Sequence, residues 1–85
     1  MGNPTSYKVT FTVSLDDKSF EIEAYAMKFV NNLPTRFQIL VNGYFEGFIS
    51  RGSDKWLIEK YSLSRNLLNE ELVQEIGNYL SAYYS

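Results

Sequence analysis

The chain contains no cysteine and no histidine. Without Cys there is no disulfide, no thiolate metal site and no thiol nucleophile. A secreted domain this small usually needs such staples, so the expected setting is a reducing one, the cytoplasm. Without His the commonest general base near neutral pH is missing, and so is the commonest metal ligand. A basic run is also lacking. The 8 Lys and Arg residues are scattered singly among 10 Asp and Glu, for a net charge of −2. Nothing in that pattern makes a phosphate-binding footprint, so nucleic acid is not the expected partner. No stretch approaches the roughly 18 apolar residues of a membrane span, so a membrane is not expected either.

The opening residues, Met1 to Ser6, have neither the basic nor the apolar region of a signal peptide. They fit the loose myristoylation pattern through Gly2 and Ser6. No polybasic segment follows, and a disordered tail over 1–6 is the expectation. Asn3-Pro4-Thr5 is no glycosylation site, because Pro occupies its middle position.

What is present is aromatic area. Of 85 residues, 16% are aromatic, with seven Tyr and six Phe. That length suits a single domain, which buries only about 60% of its unfolded surface. Aromatic side chains supply much apolar area per residue and favour interfaces.

The hydrophobic pattern gives an α+β fold: a five-stranded antiparallel β-meander with one C-terminal amphipathic α-helix on one face, in the order βββββα. Strands are expected at about 7–15, 20–27, 36–40, 44–51 and 55–61, and the helix at about 70–84. Tyr7, Val9, Phe11, Val13 and Leu15 alternate with Lys8, Thr10, Thr12 and Ser14, as a half-buried strand does. Asp16 to Ser19 supply a turn. Phe20, Ile22, Ala24 and Ala26 then point inward, a register consistent with an even-length loop. Residues 28–35 lose the alternation and read as a connection, with Pro34 keeping Leu33 extended.

Asn42-Gly43 is the strongest hairpin signal. A two-residue turn there sets Ile39 opposite Glu46 and mixes core with solvent. A three-residue loop sets Ile39 opposite Phe45 and Phe37 opposite Gly47, and is preferred for keeping one face apolar. Arg51 to Asp54 make the next turn, after which Trp56 and Ile58 join the core face. In the helix, Asn69 reads as N-cap, with Glu70 and Glu71 in the first turn. Leu68 and Val73 are placed for a hydrophobic staple. Leu72, Val73, Ile76, Tyr79, Leu80 and Tyr83 form the apolar stripe. Gly77 on its flank indicates close helix–sheet approach.

The face opposite the helix is uneven. Under the first two strands it is polar. Under the last three it carries Leu40, Tyr44, Phe48, Leu57 and Tyr61, mixed with Arg36, Gln38, Glu46 and Glu59. That apolar content exceeds what a solvated face needs and marks a candidate interaction face. Two segments could instead cover it: Phe29, Val30 and Leu33 of the 28–35 connection, or Leu63, Leu67 and Leu68 of the 62–68 connector.

No catalytic, cofactor or metal motif emerges. Asp16 and Asp17 are turn residues, and Glu70, Glu71 and Glu75 are a solvated helix face. Glu46 and Glu59 are candidate cross-strand neighbours whose closeness would raise one pKa or hold a cation. Gly43 to Ile49 resembles the aromatic signature of RNA-recognition motifs. Asn42 stands where that signature is basic, Phe45-Glu46 breaks its spacing, and that fold's first helix is missing, so no role carries over. The expected function is a small non-enzymatic protein–protein interaction module, a homodimer through the face opposite the helix. The alternatives are single-stranded nucleic-acid binding on sheet aromatics and a small apolar ligand held between helix and sheet near Gly47, Trp56 and Gly77.

Overall fold

The computed structural model describes residues 7–60 and 68–84. The tail at 1–6, Tyr61 and the connector residues 62–67 lie outside them. Five strands precede one helix: β1 (Lys8–Leu15), β2 (Lys18–Val30), β3 (Leu33–Val41), β4 (Tyr44–Arg51), β5 (Trp56–Lys60) and α1 (Glu70–Tyr83). The strands form one antiparallel sheet in sequence order, the expected meander.

Three hairpins close with two residues each. Asp16-Asp17, Asn31-Asn32 and Asn42-Gly43 all have positive φ, from 52° to 87°. Positive φ at both central residues marks the type I′ turn, whose twist matches that of the strands. Asp, Asn and Gly tolerate this conformation better than other residues.

The Asn31-Asn32 turn corrects the reading of 28–35 as a connection. β2 runs on to Val30 and β3 begins at Leu33. Ala26 pairs with Phe37, Lys28 with Arg36, and Phe29 with Pro34. Met27 is therefore an extra residue on β2 and Thr35 an extra residue on β3. Each bulge shifts the side-chain phase by one, which erases alternation without ending the strand. The β3–β4 ladder reaches only to Arg36↔Ser50, so Pro34 lies beyond it, where a missing N–H disturbs no pairing on that side.

The hairpin at Asn42-Gly43 is a second correction. Its loop has two residues, with Val41 opposite Tyr44 and Leu40 opposite Phe45. Glu46 is then bulged out, and Ile39 meets Gly47 and Phe37 meets Ile49. The bulge restores the apolar face that the three-residue loop was invoked to preserve. Gly47 holds φ at 139°, a backbone state that side chains disfavour. Glu46 is fully buried rather than on a wet face.

The core lies between sheet and helix. Phe37, Ile39, Ile49 and Trp56 meet Leu72, Val73, Ile76 and Leu80 there. Asn69 caps the helix, its Oδ1 accepting the Leu72 N–H at 2.8 Å. Leu68 and Val73 are both buried, as a hydrophobic staple requires. Tyr84, just past the helix, is buried and lies 5.8 Å from Phe37, whereas Tyr79 on the expected stripe is half-exposed.

The helix backbone comes closest to β5 and β1, the two edges, so the sheet bends around it. At β5 the approach is tight enough that a Cβ on Gly77 would overlap the Trp56 indole. The close approach expected from Gly77 is thus present. Gln74 completes this contact: its amide oxygen accepts the Trp56 N–H at 3.1 Å, and its amide nitrogen donates to the Trp56 C=O at 2.8 Å.

Candidate functional site

Residues directly opposite one another in a sheet share a face, so the pairings define the surface away from the helix. One row crosses all five strands: Lys8, Tyr25, Gln38, Phe48 and Glu59. A second row runs Thr10, Glu23, Leu40, Phe45. A third runs Arg36, Ser50, Leu57. The polarity divides as the alternation predicts, with Thr and Glu under β1–β2 and apolar side chains under β3–β5.

Leu40 and Phe45 oppose each other, and the Phe45 and Phe48 rings meet edge to face at 5.5 Å. Leu57, on the same face, is 51% exposed, while Leu40, Phe45 and Phe48 are half-buried. Cations cover two of the rings. The Arg36 guanidinium lies 4.1 Å from the Phe48 centroid and also pairs with the Glu59 carboxylate. Lys8 Nζ lies 5.6 Å from the Tyr25 centroid and 3.6 Å from Glu23. Tyr25, first, and then Glu23 hold the Lys8 ammonium above its ordinary value of 10.5. The surface is thus an apolar centre at β3–β5 bordered by paired charges.

Of the five candidate interaction residues, the structure brings Leu40, Phe48 and Leu57 together on this face. Tyr61 lies outside the described residues. Tyr44 does not join them: it is opposite Val41 on the helix side, because the Glu46 bulge reverses the alternation between Phe48 and Tyr44. Phe45 takes its place. Glu46-Gly47, a charge beside a glycine within a strand, was the available signal for that bulge.

Of the two segments that could instead cover the face, the first is placed elsewhere. Residues 28–35 are the end of the β2–β3 hairpin, where Leu33 packs against the core and Phe29 meets Tyr7 edge to face at 5.9 Å. Leu68 belongs to the helix-side core. Leu63 and Leu67 lie outside the described residues.

The carboxylate pair also separates. Glu59 is opposite Phe48 and bound to Arg36, while Glu46 sits in the bulge, before the β4–β5 ladder begins at Gly47↔Lys60. Among the described residues, no three His, Cys, Asp or Glu side chains are grouped to hold a metal ion. None of their helices is long and apolar enough to cross a membrane. Comparison with family models, with curated proteins and with solved structures finds no match to this chain.

Proposed function

We propose that this protein is a small non-enzymatic protein–protein interaction module that docks its partner on the outer face of β3–β5. The observation that carries this is Leu57, half-exposed on a face it shares with Leu40, Phe45 and Phe48. An apolar centre with a polar rim is the usual anatomy of such a surface. A second copy of the chain is the simplest occupant, since a self-complementary patch closes by two-fold symmetry.

The other two functions draw less support from the geometry. A base stacking on Phe48 would compete with the Arg36 guanidinium already over the ring. An apolar ligand near Gly77 would have to displace the Trp56 indole.

Methyl NMR across a protein dilution series tests the self-docking form. The Leu40 and Leu57 methyl signals are expected to move with concentration, and Leu57→Glu to abolish the movement. Signals that stay fixed while the protein remains monomeric overturn it.

A further inference from the structure

We infer that the free edge of β1 pairs, antiparallel, with β1 of a second copy, about a two-fold axis at Phe11. The inference is independent of the outer face. It starts from where the backbone groups of β1 point. The Ala26 N–H donates to the Tyr7 C=O at 2.7 Å, and on the far side of β2 the Asn42 N–H donates to the Glu21 C=O at 2.8 Å. These bonds fix the alternation of an antiparallel ladder. Val9, Phe11, Val13 and Leu15 turn their backbone groups toward β2. Lys8, Thr10, Thr12 and Ser14 turn theirs outward.

All four of the outward residues are exposed. No hydrogen bond between described residues reaches their outward backbone groups. The opposite edge is different, since Gln74 takes both outward groups of Trp56. Natural edges are usually blunted by charge, proline, a bulge, shortness or a cover. β1 is eight residues long with no proline. Its register with β2 runs unbroken from Lys8↔Tyr25 to Leu15↔Lys18, so it has no bulge. Its one charged residue, Lys8, is at the end.

The edge is also complementary to itself. With the axis at Phe11, Thr10 faces Thr12 of the second copy, Lys8 faces its Ser14, and Val9 faces its Val13. Outward residues meet outward residues, as a hydrogen-bonded ladder requires, and no like charges oppose. Thr–Thr pairs are favourable cross-strand neighbours. On the helix side Phe11 meets its own copy. Tyr79, stacked on Phe11 at 3.9 Å and 42% exposed, comes to lie at the junction. The product is one continuous ten-stranded sheet with both outer faces on the same side. Two docking surfaces are then presented together, and a partner with two sites gains from their linkage.

Sedimentation velocity on charge-swapped variants tests the pairing and its register. Thr10→Lys/Thr12→Lys sets like charges against each other twice across the axis. Within the chain the same positions lie opposite Glu23 and Glu21, so the fold is kept. Thr10→Lys/Thr12→Glu sets unlike charges together twice. The expected result is a dimer that persists when Leu57→Glu removes any outer-face contact, loss of that dimer in the Lys/Lys variant with an unchanged circular dichroism spectrum, and its return in the Lys/Glu variant. A monomeric wild type, or a Lys/Lys variant that still dimerises, overturns the pairing. A Lys/Glu variant that stays monomeric with an unchanged circular dichroism spectrum overturns the register. Leu57→Glu is expected to leave this dimer intact. A dimer lost on Leu57→Glu but kept in the Lys/Lys variant assigns the self-contact to the outer face and overturns the β1 inference.

Discussion

The same helix meets the two edges of the sheet in two ways. On β5 it closes the edge: Gly77 lets the backbone come down on Trp56, and the Gln74 amide bonds the strand as a neighbouring residue would. The Arg51 guanidinium adds a cation over the Trp56 ring at 4.9 Å and donates to Ser81 at 3.3 Å. On β1 the contact is aromatic, Phe11 on Tyr79, and no hydrogen bond between described residues reaches the outward backbone groups. Covering apolar area and satisfying an edge are separate tasks. A ring accomplishes the first, and only a group with both a donor and an acceptor accomplishes the second.

The largest break in this comparison is expected from Trp56→Ala. It removes the ring that fills the space at Gly77 and packs 5.9 Å from Phe37. The cost should be about 3–5 kcal/mol, read by urea denaturation. Gln74→Ala comes next. It strands the Trp56 N–H and C=O, at a cost of about 1–3 kcal/mol. Faster exchange of the Trp56 amide proton separates this effect from general destabilisation. The variant also leaves β5 as bare as β1, so any strand pairing it acquires will appear as a new association in sedimentation.

The smallest effect concerns the helix end between the two edges. Burial, first, and then neighbouring Tyr83 push the Tyr84 phenol above its ordinary value of 10.0. The folded state therefore holds the phenol proton more tightly than the unfolded state does. This contribution is complete below pH 10 and is lost as pH rises from there through the folded value. Thermal melts between pH 9 and pH 12 should show a shallower alkaline decline for Tyr84→Phe than for the wild type.

Much of this architecture was legible as periodicity. The meander, the Asn69 cap and the close approach at Gly77 follow from alternation, capping chemistry and a missing side chain. The bulges were not, because an extra residue breaks the period it would have to be detected by. Met27 and Thr35 made a continuous hairpin read as a connection. Glu46 exchanged Tyr44 for Phe45 on the outer face and turned an expected surface carboxylate into a buried one. Gln74 lies outside the apolar stripe of the helix and is half-buried against β5. That its amide is aimed at β5 depends on how far the sheet curls, and no local pattern carries that. Tyr84 falls four residues after Leu80, but the expected stripe ends at Tyr83; it is Tyr84, at the C-cap, that is buried.

The chain order of the meander has a consequence for folding. Each strand pairs with its predecessor, so the sheet can form without any contribution from α1. In such a state Phe37, Ile39 and Ile49 line an uncovered apolar surface. Undocking of α1 is therefore the opening that exposes this chain to aggregation.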